Sequence, residues 1–206
     1  LSAIKAGMVA MTPFTILGSF FAILPALPNM LGEENAISQF ILTNAELFDL
    51  PVTLSIGLIG LYACLAISYN LGKYYKLYIP GCMTLATFAF LFMVATFNEQ
   101  GHLMLKNLGA RGLFTAMLVA LATVELYNFC KKRNLTIRMP EGVPDFVSQS
   151  FELIPVTLIV GGTFIALRFV FLNVIGELPP TILTRFLTPL VGSMDNPWAV
   201  LLLNFA

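Results

Sequence analysis

The sequence predicts an all-α, polytopic membrane protein with five transmembrane helices, an interfacial amphipathic helix and the start of a further helix. The first observation is composition, because 58% of the residues are hydrophobic and only 11% are charged, whereas soluble domains carry about 25% charged residues. The second is length, since each of five apolar runs is as long as the ~20-residue helix that crosses a bilayer. The third is that charges gather in the gaps between these runs. The five apolar runs are residues 6–30, 51–71, 77–97, 112–130 and 153–176.

Composition also excludes several classes of function. The net charge is zero and no basic stripe exists outside short loops, so nucleic acid is not an expected partner. Cys64, Cys82 and Cys130 lie inside apolar runs at spacings unlike a metal motif, and we interpret them as packing residues without disulfides. The single histidine, His102, stands in a polar loop and is interpreted as a loop residue. No metal and no cofactor is therefore expected.

The first apolar run contains three prolines, each of which removes a backbone donor. They predict a kink near Pro13 and a helix end near Pro25 and Pro28. Either a bent packing helix or a broken helix lining a cavity would fit this pattern. The segment 31–50 is long for a structureless loop, and its apolar residues at helical spacing predict a short helix on the outer face.

The distribution of basic residues predicts the orientation, because cytoplasmic loops are enriched in Lys and Arg. With the chain start inside, seven of the eleven basic residues fall on the cytoplasmic side, namely Lys5, Lys73, Lys76, Lys131, Lys132, Arg133 and Arg138. Lys106 and Arg111 fall outside, against the rule. The segment 31–50, with its acidic residues and no Lys or Arg, then lies outside.

Small residues and two charges stand out within the fourth and fifth runs. Ala116-xxx-Ala120 and Gly162-xxx-Ala166 permit close helix packing, either within the chain or between subunits. Glu125 is expected to snorkel or to pair with the basic cluster that follows it. Arg168 is expected either to snorkel or pair, or to line a substrate path.

The chain after the fifth run predicts an amphipathic helix. Pro179 and Pro180 break the chain, and apolar residues then recur at helical spacing across 182–191. We expect this helix to lie in the interface or across the bundle, with Pro189 limiting its length. The apolar segment 197–206 is too short to span a bilayer, so we expect a piece of a longer protein.

The most distinctive segment is 131–150, which reads KKRNLTIRMPEGVPDFVSQS. Its two X-Pro steps, at Pro140 and Pro144, favour extended backbone before each proline, and Gly142 between them favours a turn. We call residues 133–144 the strap, because they predict a stiff connection between two helices. Asp145 is a candidate cap of the next helix.

The order of these features resembles the membrane (IIC) component of bacterial phosphotransferase-system (PTS) sugar permeases of the lactose/cellobiose/diacetylchitobiose type. The stretch IRMPEGVPDFVSQSFELIP is the specific match, supported by AGMVAMTPFTILG, LGARGLF and LTPLVG. These stretches are residues 137–155, 6–18, 108–114 and 187–192. One departure is Asp145-Phe146, where members often have a second proline and a small residue.

The resemblance implies a two-part protein. Residues 1–177 would form a five-helix transmembrane domain that mediates dimerisation, and 178–206 the amphipathic helix and the start of the truncated sugar-transport half. The sugar-contacting histidine and glutamate of the family lie beyond Ala206, so no catalytic or sugar-binding residue is assigned in this chain. The candidates that shape the cytoplasmic face are Arg138, Met139, Pro140, Val143 and Pro144. Arg138 either contacts an anionic partner or only helps to fix the membrane orientation.

The implied function is translocation of a disaccharide, such as cellobiose, lactose or chitobiose, coupled to its phosphorylation by a IIB phosphocarrier protein. The resemblance also implies a homodimer in the bacterial inner (plasma) membrane, within a phosphohistidine/phosphocysteine-dependent complex. Two other classes stay open. One is an ion-coupled secondary transporter, which needs intramembrane acids and inverted repeats; Glu125 is the only acid inside an apolar run, and no internal repeat is visible. The other is a non-transporting membrane scaffold.

Overall fold

The computed structural model describes residues 2–32, 34–104, 107–137, 139–140 and 142–194. This part of the chain is almost entirely helical, with one short β-hairpin. The helices are α1 (Ser2–Ala10), α2 (Thr12–Ile23), α3 (Leu27–Leu31), α4 (Ala36–Thr43), α5 (Ala45–Ser55), α6 (Ile59–Tyr74), α7 (Ile79–Val94), α8 (Leu113–Lys132), α9 (Asp145–Val170) and α10 (Pro179–Met194).

Within the described residues, four helical stretches are long and apolar enough to cross a membrane: Ser2–Leu31, Ala45–Tyr74, Ala110–Lys132 and Val147–Ile175. The prediction of a helical, multi-pass membrane protein is thus confirmed. The third apolar run, however, forms the shorter helix α7, whose 16 residues extend only ~24 Å. That length falls short of a hydrocarbon core of ~30 Å, so length supports four spanning helices and one shorter apolar helix.

Three helices, α6, α7 and α8, form the centre of the bundle. Their contact surfaces consist largely of small residues, which allow the backbones to approach closely. Ala116 and Ala120 are fully buried, so this predicted small-residue pair packs inside the chain. Helix α9 packs on α7, while α1 and α2 pack on α6 and α5.

The first span is interrupted near Pro13, where the sequence predicted a kink. Helix α1 ends at Ala10, and α2 begins at Thr12 with Pro13 in its first turn, where a missing backbone donor costs little. As predicted, α2 ends close to Pro25, at Ile23, but a 3₁₀ turn at Leu24–Ala26 and the short helix α3 carry the helical path on to Leu31. Each proline again lies in the first turn of a new helical piece, which makes the continuation permissible.

The segment 31–50 is more helical than predicted. The short helix is confirmed as α4, and the Asn35 carboxamide caps it by accepting from the Ile37 amide at 3.0 Å. Helix α5 then begins at Ala45, six residues before the predicted run, and contains Pro51 in its interior. A 3₁₀ turn at Ile56–Leu58 follows, so the second span is broken near its middle.

A β-hairpin follows α7. Its strands are β1 (Thr96–Phe97) and β2 (Leu103–Met104), paired antiparallel. The Asn98 side chain accepts from the backbone amides of Gln100 and His102 at 3.1 and 2.7 Å, which closes the turn. His102 is exposed in this turn, as the loop interpretation expected, and no cluster of metal-binding side chains occurs in the described residues.

The last two helices differ from prediction at their proline boundaries. Pro144 occupies the N-cap position of α9, and Asp145 is the first helical residue, so the expected Asp145 cap is wrong. Pro179 and Pro180 begin α10 rather than merely breaking the chain. The backbone of α10 continues past Pro189 to Met194, because the fixed φ of proline suits a helix even though one hydrogen bond is lost. Residues 197–206 lie outside the described residues.

Candidate functional site

The bundle has two ends, the strap face and the hairpin face. The strap face contains the strap and the junction of α6 with α7. The hairpin face contains the β-hairpin, residues 107–112 and the turn at 176–178. The candidate residues fall on both faces, and none of them belongs to a recognisable catalytic arrangement within the described residues.

Residues 107–112 fill the break in the second span. The Leu108 carbonyl accepts from the backbone amides of Gly60 and Leu61 at 2.8 and 3.3 Å, which satisfies donors at the start of α6. A Cβ atom on Gly60 would lie 2.6 Å from the Leu108 oxygen, and one on Gly109 would lie 2.9 Å from the Gly57 oxygen. The LGARGLF stretch therefore requires Gly109 for close backbone contact, a role that the sequence alone did not reveal.

The strap folds back over the ends of α8 and α9. Beneath it lies a polar pocket of about 310 Å³, lined by residues of the strap, α8 and α9. The Lys131 ammonium lies 3.3 Å from a carboxylate oxygen of Glu152, so an ion pair joins the two helices at this pocket. Glu152 is a partner that sequence reasoning missed, because 21 positions separate it from Lys131.

Four of the five strap candidates are described. Met139 lines the pocket and is half-buried, and Val143 is also half-buried. Pro140 and Pro144 are exposed, while Arg138 lies outside the described residues. Between the prolines, Gly142 has a φ of +106°, a conformation that L-residues with a side chain rarely adopt, so the turn predicted there is present.

Glu125 is exposed and forms no salt bridge within the described residues. Its carboxylate accepts a hydrogen bond of 2.5 Å from the hydroxyl of Tyr75, the residue that directly follows α6. The Lys132 ammonium in turn lies 6.0 Å from the centroid of the Tyr75 ring, at the edge of cation–π range. The hydrogen bond to Glu125 raises the pKa of Tyr75, the main cause, with burial and the carboxylate charge adding to it.

Arg168 caps the end of α7. Its guanidinium donates to the Phe92 carbonyl and, at 2.8 Å, to the Ala95 carbonyl. It also lies 5.3 Å from the centroid of the Phe92 ring. The last carbonyls of a helix lack intrahelical partners and bear partial negative charge, so this arginine is a paired residue. The Asn107 side chain donates to a further carbonyl there, that of Val94, at 3.2 Å.

The family model described as "Phosphotransferase system, EIIC" matches residues 5–205, almost the entire chain. This chain belongs to the EIIC family. The resemblance drawn from the strap and its flanking residues is thereby confirmed.

Individual EIIC proteins show the same likeness. The chain is 33% identical to the lichenan permease IIC component of Bacillus subtilis (strain 168), over 75% of this chain and 37% of that protein. It is 31% identical to the PTS system lactose-specific EIICB component of Staphylococcus haemolyticus (strain JCSC1435), over 78% and 28% respectively. The chain spans half or less of the length of the curated relatives it matches.

A solved EIIC structure has the same fold. The transporter ChbC, the IIC component from the N,N'-diacetylchitobiose-specific phosphotransferase system, superposes with a TM-score of 0.77 at 26% identity. The match covers 97% of this chain and 49% of ChbC. The chain is therefore a multi-pass membrane protein of a sugar-permease family, and it corresponds to about half of a solved member.

Proposed function

We propose that this chain is the first half of a permease that brings a disaccharide into the cell and releases it as a sugar phosphate. The observation that carries the proposal is the EIIC match over residues 5–205, together with relatives named for lichenan and lactose. A IIB phosphocarrier docks on the strap face and donates the phosphoryl group. The membrane protein contributes positioning, because phosphoryl transfer depends on in-line geometry between donor and acceptor.

The charge of the strap face supports docking of an anionic phosphocarrier there. Lys132 and Arg133 are exposed at the end of α8, and Lys73 is exposed at the end of α6. None of these three forms a salt bridge among the described residues. Exposed cations attract an anionic partner over roughly one Debye length, ~8 Å at physiological salt, and mainly accelerate encounter.

The function can be tested in cells that express the complete permease and are supplied with labelled cellobiose, lactose and diacetylchitobiose. Accumulation of labelled sugar phosphate, dependent on phosphoenolpyruvate and the IIB protein, is expected. Unmodified sugar that follows a proton or sodium gradient would instead indicate an ion-coupled secondary transporter. No accumulation of any sugar, with protein present in the membrane, would favour the scaffold function.

A charge-reversal pair tests the docking face. Lys132→Glu combined with Arg133→Glu is expected to lower the rate of sugar phosphorylation about tenfold at low salt, because encounter with the phosphocarrier is no longer steered. Sugar binding by the permease should be unchanged. A matched change on the hairpin face, Arg185→Glu, should leave the phosphorylation rate unaltered. Equal effects of the two changes would contradict docking at the strap face.

The proposed location is the bacterial inner membrane with the strap in the cytoplasm. Pro140→Cys and Gln100→Cys place a thiol on the exposed strap and hairpin turn respectively, and the three native cysteines are buried. An impermeant thiol reagent applied to intact cells should label Gln100→Cys and not Pro140→Cys. The reverse pattern would invert the topology.

We further propose that residues 1–177 form a dimerisation domain, preceding a second unit that starts at 178. The exposure of the span Val147–Ile175 supports a dimer interface there. This span is mostly exposed, with apolar residues such as Leu158 and Phe169 at its surface. Gly162 and Ala166 are exposed on this helix, so the second predicted small-residue pair does not pack within the chain. Ala166→Cys should yield cross-linked dimers in membranes; monomer alone would contradict this interface.

A further inference from the structure

One side of α8 is uncovered along the length of the helix. Its exposed residues recur every three or four positions, while the residues between them are buried or half-buried. This spacing places them in one line on a single face of the helix. The line extends ~22 Å along the helix axis, most of the thickness of a hydrocarbon core. We call it the α8 stripe, and its members are Phe114, Leu118, Ala122, Glu125 and Phe129.

An apolar groove of about 340 Å³ lies beside the stripe, towards the hairpin face. Leu118 and Ala122 belong to the stripe and also line the groove. Phe164 of α9 and Ile182 of α10 line it from the neighbouring helices. Helices pack by inserting ridges of side chains into such grooves. The stripe and its groove therefore have the form of a contact surface for one further helix.

Glu125 is the charged residue of the stripe. It lies on the same side of α8 as Leu118, two turns further on, and seven residues before the end of the helix at Lys132, which is a depth of ~10 Å. Its carboxylate accepts a hydrogen bond from Tyr75 and has no further hydrogen bond or salt bridge within the described residues. A carboxylate offers about four acceptor positions, so most of the acceptor capacity of Glu125 is unused.

This charge argues against lipid as the neighbour of the stripe. Ionisable side chains within membrane spans face other protein segments or a water-filled cavity, because an incompletely paired charge is costly in hydrocarbon. A second copy of the chain is also a poor neighbour. In a dimer with its two-fold axis normal to the membrane, equivalent residues meet at equal depth, so two Glu125 carboxylates would face and repel each other. The surface of α9 around Gly162 and Ala166, which the proposed dimer uses, has no such acid.

We propose that a membrane-spanning helix from the second half of the complete permease covers the α8 stripe, with a hydrogen-bond donor or a cation opposite Glu125. The inference rests on the proposed function, because it requires that a second half follows this chain. About half of the ChbC chain lies outside its match to this one, and in a complete permease a comparable length would have to pack on these helices. Helix α10, the last helix described, borders the same groove, so the second half starts beside the stripe. A single polar pair within an apolar helix contact fixes the register of the two helices, so Glu125 acts as a positioning residue for the second half.

The test uses the complete permease in its native membrane. The photoreactive residue p-benzoylphenylalanine replaces Leu118, and irradiation joins it to its neighbour. We expect an adduct with the mass of one subunit, in which mass spectrometry finds the peptide containing position 118 joined to a peptide from the second half. The matched control places the same residue at Ile16 of α2, which is exposed to a similar degree, 64% against 56% for Leu118, on a helix without charged residues. Position 16 should yield no adduct with the second half.

The role of Glu125 is tested in the same Leu118 variant. Glu125→Ala should lower the yield of the adduct about fivefold, because the partner of the carboxylate is lost, and Glu125→Gln, which still accepts a hydrogen bond, should retain most of it. Glu99→Ala, in the exposed hairpin turn, should leave the yield unchanged. Ala122 replaces Leu118 as the photoreactive position if the Leu118 variant fails to reach the membrane.

Adducts of position 118 with lipid alone would overturn the proposal, as would an adduct with the mass of two subunits, which would place a second copy on the stripe. Equal losses in Glu125→Ala and Glu99→Ala would overturn the role of Glu125. Sugar phosphorylation by the same membranes reports separately on the proposed function. A permease that phosphorylates sugar yet gives only lipid adducts at position 118 would overturn the contact at the α8 stripe and leave the proposed function intact.

Discussion

Replacing Arg168 with Met should destabilise the protein, because Arg168 fastens α9 to the end of α7. The variant loses two hydrogen bonds from a charged donor to backbone carbonyls, each contributing ~1.5–3 kcal/mol. It also loses a stacking contact with Phe92, which contributes about 0.5–1 kcal/mol. Removing an arginine from the membrane region recovers ~2.5–3.5 kcal/mol on insertion scales. The expected net loss is therefore about 2 kcal/mol.

The assay is equilibrium unfolding of purified protein in mixed micelles of increasing denaturing detergent, followed by circular dichroism. Arg133→Met provides a matched control, because the Arg133 guanidinium lies 5.5 Å from the Phe129 ring centroid and donates to no backbone carbonyl within the described part of the chain. Its loss should not exceed about 1 kcal/mol. Arg168→Lys, which keeps the charge but reaches fewer acceptors, should fall between the two.

Equal free energies of unfolding for Arg168→Met and Arg133→Met would refute the reasoning, because the carbonyl bonds would then contribute nothing beyond stacking. A variant more stable than the unaltered chain would show that the cost of placing this charge in the membrane outweighs its hydrogen bonds. Either result would also weaken the view that α7 depends on a distant side chain for its C-terminal cap.

Three further predictions follow from single contacts. Gly60→Ala should lower the free energy of unfolding by about 2 kcal/mol in the same assay, because its Cβ would approach a backbone oxygen at 2.6 Å; Gly162→Ala, which meets open space, should have no such effect. Gly142→Ala should cost about 1 kcal/mol, since φ is +106° there; an unchanged stability would show that the turn relaxes freely. Tyr75, whose pKa is raised by its bond to Glu125, should ionise above pH 10 in ultraviolet titrations compared against Tyr75→Phe, and Glu125→Gln should bring its pKa back towards 10. Because the folded-state pKa is the higher one, this contribution to stability is complete below pH 10 and is lost as pH rises through the raised value.

The helical membrane class could be predicted from sequence because a bilayer imposes it on each segment separately. Apolar runs of sufficient length and charges confined to their ends suffice, and neither depends on tertiary contacts. The break near Pro13 was predictable for the same local reason. The strap match was specific enough to identify the family, since Pro140 and Pro144 flank a turn that only a few residue types allow.

What could not be predicted depends on residues far apart in the chain. Arg168 contacts carbonyls that precede it by more than 70 positions, and backbone acceptors leave no trace in a sequence pattern. Glu125 was predicted to snorkel or to pair with the basic cluster, whereas its carboxylate accepts a hydrogen bond from Tyr75, which is 50 positions away. Helix ends at prolines were misjudged, because a proline tolerated in a first turn and a proline that ends a helix look alike in sequence.

The Leu108 carbonyl that completes the broken second span has a consequence for biosynthesis. Gly60 and Leu61 leave the ribosome well before Leu108, since 47 residues separate Leu61 from Leu108. At roughly 5–20 residues per second, translation of that interval takes a few seconds. Throughout it the amides at the break have no acceptor, which hydrocarbon does not supply. The broken second span must therefore remain beside the insertion machinery or water until Leu108 has been synthesised. Its integration into the membrane is thus coupled in time to that of the apolar run 112–130, which follows Leu108.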